Sequence, residues 1–331
     1  MSVIEPEAGP VTTAQVTRER ALGVVQSYGA AIVLVLLVAI ASVSFPTFFT
    51  VGNLSNILTQ SSFILIISIG MTFVILTGGI DLSVGSMFAL GGVLAAQGSA
   101  FGLAGALLLP LLVGIAVGAV QGALVAWGGM APFIVTLAGL LAIRGVALQI
   151  TGAGSTTPII RDELTRALGQ GGIGNVRWPA IIALVLLGIG VVLLTRTRLG
   201  QGVLAVGGSE SASTLMGLRV GRVKFSVYVL SGAMAALAGA LSAAYASSGV
   251  PTVGVGLELT AISAVVIGGT LLSGGKGSLI GTLAGVLLLT VIQNVINQVG
   301  NLSSSVQAVV SGAFLAVVVV IQTVLSRQQR L

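Results

Sequence analysis

At least nine long apolar runs, nearly free of charge, divide this 331-residue chain. Each is long enough, or almost so, to cross a hydrocarbon layer of about 30 Å as an α-helix. Charged residues make up only 7% of the sequence, where a soluble domain carries roughly 25%. The mean hydropathy of +1.13 agrees. The expected fold class is therefore an all-α, polytopic membrane protein. Its 48 glycines fit that reading, because helices associate in lipid by close backbone approach. The spacings Gly114, Gly118, Gly122 and Gly281, Gly285 read as ordinary helix-packing seams.

The chain contains neither cysteine nor histidine. That excludes a disulfide framework and any histidine- or thiolate-based metal site, so no metal is expected. The pI near 10.8 does not imply nucleic acid, because the few basic residues lie mostly between the apolar runs. Residues 1–28 are polar, and no cleavable signal pattern precedes the first run.

Ten spans are expected, at about 29–45, 54–77, 82–98, 103–127, 132–150, 178–196, 223–246, 257–272, 279–299 and 303–326. The third and eighth are short enough to be broken or re-entrant helices. Basic residues set the orientation, since they concentrate on the cytoplasmic side. With both termini inside, the inner segments hold Arg18, Arg20, Arg196, Arg198, Arg219, Arg222, Lys224, Lys276, Arg327 and Arg330. The outside receives Arg161, Arg166 and Arg177. One membrane domain over 29–326 follows, between a cytoplasmic segment 1–28 and a tail 327–331.

Asp81 stands between the second and third spans, where a charge at membrane depth needs a reason. It either caps the third helix or lines a transport path, and Glu258 at the start of the eighth span invites the same two readings. Arg144, inside the fifth span, either snorkels outward or pairs with an acid. Amides give a more specific hint. Gln293, Asn294, Asn297 and Gln298 crowd one span, and Asn56 with Gln60 repeats the four-residue spacing in another. Amides donate and accept together, which suits an uncharged polyhydroxylated solute, although they also bridge helices.

Leu272-Ser273-Gly274-Gly275-Lys276 resembles the signature sequence of ABC ATPases, but it joins two apolar spans. No G-x-x-x-x-G-K-[ST] pattern occurs in the chain. No nucleophile–base cluster is evident either, so the chain is expected to be a transport subunit and not an enzyme. Gly78-Gly79-Ile80-Asp81-Leu82-Ser83 is echoed by Gly268-Gly269-Thr270-Leu271-Leu272-Ser273, as an internal duplication would produce.

Several passages together carry a family resemblance. They include Phe48-Phe49-Thr50-Val51-Gly52-Asn53-Leu54, the stretch from Gly70 to Ser86 with Gly79-Ile80-Asp81-Leu82-Ser83-Val84-Gly85, and Thr197-Arg198-Leu199-Gly200. Tyr228-Val229-Leu230-Ser231-Gly232 and Ala264-Val265-Val266-Ile267-Gly268-Gly269-Thr270 follow. From about residue 25 the chain resembles the ribose/xylose/arabinose class of ABC permeases. The resemblance implies a type II importer-like permease in a bacterial cytoplasmic (inner) membrane. Implied partners are ABC ATPase subunits, a second permease copy or related permease, and a periplasmic or lipid-anchored solute-binding protein. ATP and Mg would sit on the ATPase, with no cofactor in this chain.

The resemblance also implies a cytoplasmic coupling segment, about 207–219, resting on the ATPase. Ser209, Glu210, Leu215, Met216 and Gly217 are its expected contact residues. Many ribose-type members carry an aromatic residue before the Glu-Leu of the eighth span and an acid after it. Leu257 and Thr260 stand there instead, which counts against ribose itself and leaves another pentose, a hexose or a polyol equally compatible. Relatives that carry autoinducer-2, nucleosides or branched-chain amino acids, and an ion-coupled carrier using Asp81 and Glu258, are the alternatives.

Overall fold

The computed structural model describes residues 13–298, with side chains from residue 29, and the isolated positions 309, 312 and 313. Twelve α-helices lie within residues 13–298: α1 (Thr13–Ser44), α2 (Val51–Leu76), α3 (Val84–Gly98), α4 (Gly102–Ala126), α5 (Pro132–Ile150), α6 (Glu163–Gln170), α7 (Trp178–Arg196), α8 (Arg198–Gly208), α9 (Glu210–Leu215), α10 (Val220–Ala246), α11 (Leu257–Ile267) and α12 (Leu279–Gln298). Their ends follow local chemistry. Thr50 and Asp162 cap α2 and α6 through their side chains, and Pro132 opens α5, where its missing N–H costs nothing. A two-residue antiparallel hairpin, Gly172–Ile173 with Val176–Arg177, is the small exception to an all-α fold among the described residues.

Helices α2 and α10 are largely enclosed, whereas α4, α5 and α7 each leave an apolar face exposed. That is the arrangement of a bundle whose outer helices meet hydrocarbon. The anticipated glycine seam fastens α4 to α10: Gly114 faces Gly232 and Ala236, Gly118 faces Tyr228 and Val229, and Gly122 faces Phe225. Gly281 and Gly285 meet Gly268 and Ala264 in the same way, drawing α12 onto α11.

The anticipated spans differ from the helices in three places. The first helix begins earlier, at Thr13, inside the segment read as a polar lead. The inner connection folds into α8 and α9, because Thr197 and Ser209 each supply a capping hydroxyl. The eighth helix stops at Ile267, where Gly268 and Gly269 end it, the latter at φ +91°. The tenth span lies outside the described residues apart from positions 309, 312 and 313.

Helices α3 and α11 have 15 and 11 residues, about 22 and 16 Å at 1.5 Å per residue, so neither crosses the hydrocarbon alone. Their N-terminal ends meet, with Gly85 packed against Glu258 and Gly254. Between α10 and α11 the chain from Ser247 to Gly256 is not helical. Backbone in such a place must find partners within the protein. Gly249 N–H donates to Pro158 O at 2.8 Å, Ile160 N–H to Ser247 O at 3.0 Å, and Ser248 N–H to Ala243 O at 3.0 Å.

The two echoed turns pack on each other. Gly275 N–H donates to Leu76 O at 2.9 Å, and Gly274 lies against Gly78 and Gly207. Gly78, Gly274 and Gly275 all have φ near +80°, which a side chain would strain. Thus the ATPase-like Ser273-Gly274-Gly275-Lys276 stretch is a tight turn that joins three helix ends.

Candidate functional site

Asp81 is buried just before α3. Its Oδ1 accepts from Ser83 N–H at 2.9 Å and from Ser83 Oγ at 2.6 Å, and its Oδ2 accepts from Ser231 Oγ at 2.7 Å. The carboxylate therefore ties the start of α3 to the middle of α10. Ser83 Oγ also lies 3.2 Å from Gln121 Oε1 of α4. One hydroxyl proton serves one acceptor fully, and the shorter bond to the carboxylate is the stronger. Tyr228 Oη is buried beside Gly79 and has no hydrogen-bond partner among the described residues.

Arg144 has partners that neither expected role named. Its Nη1 donates to two main-chain carbonyls of the non-helical segment, Pro251 O at 2.5 Å and Val253 O at 2.8 Å. Among the described residues it forms no ion pair, although Glu258 is its electrostatic neighbour. Both side chains are half-buried.

The amides divide into two groups. Asn294 Nδ2 donates to Asn53 Oδ1 at 2.7 Å, and Asn53 Nδ2 lies 3.2 Å from Asn294 Oδ1. Gln298 Nε2 donates to Asn294 Oδ1 at 2.8 Å, and Gln298 Oε1 accepts from Thr47 Oγ1 at 3.0 Å. This network bolts the end of α12 to the start of α2, so Asn294 and Gln298 serve as helix bridges. Gln293 Nε2 lies 3.4 Å from Asn297 Oδ1 within α12. Asn56 and Gln60 are exposed. Asn56 lines a cleft of about 460 Å³ between α2 and the hairpin, together with Ser55, Gln170, Asn175 and Arg177. The structure does not bring the six amides into one pocket.

At the other end of the bundle, Ser209 Oγ accepts from Ala212 N–H at 3.2 Å and starts α9. Gly217, at φ +79°, follows its last turn. Leu215 and Met216 sit side by side there, 89% and 72% exposed. Glu210 is exposed, and Lys224 Nζ donates to both of its carboxylate oxygens at 2.7 Å.

Sequence reasoning missed Asn53, Ser231 and Gln121, whose partners are distant in the chain. It also missed the carbonyls that Arg144 binds. Pro251 flanked by Gly249, Gly254 and Gly256 was an available signal for non-helical backbone.

Comparison with known proteins bears on these features. The family model described as "Branched-chain amino acid transport system / permease component" matches residues 53–320. The ribose import permease protein RbsC of Escherichia coli (strain K12) is 43% identical over 295 residues, 88% of this chain and 91% of the relative. RbsC of Bacillus subtilis (strain 168) is 40% identical over 309 residues, 93% and 94% of the two chains. The fructose import permease protein FruG of Bifidobacterium longum (strain NCC 2705) is 33% identical over 308 residues, 90% of each. No solved structure matches.

Proposed function

The chain belongs to the family of branched-chain amino acid transport system permease components, and on that premise we propose that it is the membrane-spanning subunit of a binding-protein-dependent ABC importer for a monosaccharide. The observation that carries the solute class is identity above 40% to a ribose import permease over nearly the whole of both chains. The fructose relative extends the class from pentose to hexose. The chain is a multi-pass protein of a bacterial inner membrane, with ten spans over 29–326, both termini cytoplasmic, and the short segments 1–28 and 327–331 flanking them.

Transport proceeds by alternating access. Work enters from ATPase subunits, which hold ATP and Mg, and this chain holds no cofactor. An external solute-binding protein delivers the sugar, and a second permease copy or a related permease completes the path. The coupling segment lies at 207–219, where Leu215 and Met216 present apolar side chains that water alone would not favour. Ser209 and Gly217 set the ends of α9, and the Glu210–Lys224 pair anchors it to α10. Asn56, Gln60, Gln293 and Asn297 remain candidates for weak hydroxyl contacts at the outer side, with Asn294 and Gln298 acting through the helix bridge. Asp81 acts as architecture, joining α3 to α10.

Right-side-out vesicles carrying the assembled transporter, loaded with ATP and given the binding protein outside, test this reading. Labelled D-ribose or D-fructose should accumulate despite protonophore and sodium-free buffer. Leu215→Asp and Met216→Asp should abolish accumulation while leaving the chain inserted. Accumulation that follows an ion gradient and ignores ATP would contradict the importer reading.

A further inference from the structure

Arg144 stands about 18 Å from one end of α5 and about 9 Å from the other, at 1.5 Å per residue, well within an apolar 19-residue helix. Glu258 begins α11 where that helix meets the start of α3. Arg144 therefore lies within a candidate membrane span, and Glu258 lies just past the end of the non-helical segment Ser247–Gly256 whose carbonyls Arg144 binds. Their hydrogen-bonding capacity is mostly unspent. A guanidinium has five N–H donors, and Arg144 uses only those on Nη1. Among the described residues Nε and Nη2 have no hydrogen-bond partner, and neither does the Glu258 carboxylate.

Charges at such depth face a bundle interior or a water-filled cavity, because exposure to hydrocarbon is costly. In this chain both side chains are half-buried, with exposed Thr252 and Leu259 beside them. Lipid is thus the least favourable covering for this face. Broken helices with unwound backbone between them commonly mark the solute station in transporters.

We propose that Arg144 and Glu258 form a recognition station for a neutral polyhydroxylated solute on the wall of the aqueous path. Arg144 holds the non-helical segment open through two carbonyls and turns its remaining N–H groups to hydroxyl oxygens. Glu258 accepts hydroxyl protons. The pair carries no net charge, which suits an uncharged sugar and disfavours an ion. The solute class rests on the importer reading above, whereas the aqueous exposure does not.

The natural absence of cysteine permits a direct test. Thr252→Cys and Leu259→Cys are introduced singly into the assembled transporter and treated with a charged methanethiosulfonate reagent, nucleotide-free and vanadate-trapped. The station predicts labelling in at least one state, about tenfold faster than at Leu184→Cys on the exposed flank of α7, since water reaches only the path. Failure of both positions to label in both states would overturn the proposal. Glu258→Gln should also cut D-ribose uptake while ATPase activity persists, and unchanged uptake by an assembled variant would refute the recognition role. If the wild-type transporter moves no sugar, the importer reading fails, and the labelling result still decides whether this face lines water.

Discussion

The α4–α10 seam allows a prediction in which one substitution serves as its own control. A methyl group at Gly118 would lie 2.9 Å from Val229 Cα. Carbon atoms rest at about 3.5–4.0 Å, so the two helices would have to part by about 0.6–1.1 Å. Overpacking of this kind costs about 1–3 kcal/mol. Gly188 of α7 has nothing within 4 Å of the same position and stands in a helix of similar composition. The gain in helix propensity, about 1 kcal/mol for either glycine replaced by alanine, cancels in the comparison. Gly118→Ala should therefore be less stable than Gly188→Ala by about 1–3 kcal/mol, or about 5- to 150-fold in the unfolding equilibrium. Reversible unfolding in mixed detergent micelles gives the difference. Trp127, stacked on Phe225 at 5.0 Å across this seam, supplies a fluorescence signal. Equal stability of the two variants would show that the glycines are not there for close approach.

Three further outcomes follow from the same geometry. Asn53→Ala and Asn294→Ala should be coupled in a double-mutant cycle by about 0.6 kcal/mol, a common value for interhelical bonds in membranes, and strictly additive effects would remove the bridge. Asp81→Ala leaves the Ser83 N–H and the Ser231 hydroxyl without their acceptor, at about 1–3 kcal/mol each, so it should destabilise far more than Asp81→Asn when unfolding is measured; equal effects would argue against the knot. Lys224→Met should change stability by less than about 1 kcal/mol, because the pair is partly exposed; a larger loss in thermal unfolding would mean that α9 depends on it.

Membrane character, the helical class and the main spans were readable because a 30 Å apolar layer demands long uncharged runs. The glycine seams were readable for a similar reason: spacing of four repeats on one helix face, and small residues there imply a close neighbour. The candidate site was less accessible. Clustering on α12 suggested that its amides act together, but Asn294 spends its bonds on Asn53, some 240 residues away in sequence, and no local spacing announces that pairing. Arg144 binds carbonyls, which any sequence supplies everywhere, so residue type could not reveal its partners. The Glu210–Lys224 pair was not legible either, because its two members belong to different helices. Local rules govern caps, turns and spans, whereas the site depends on which helices meet.

The central claim is that this chain works as the permease of an ATP-driven importer. The most direct test is to purify it by affinity from its native membrane in mild detergent and assay vanadate-sensitive ATP hydrolysis. Recovery of an ATPase subunit whose activity rises when solute-loaded binding protein is added is the predicted result. A monodisperse preparation of this chain alone, retaining solute flux in proteoliposomes driven only by an ion gradient, would contradict the account.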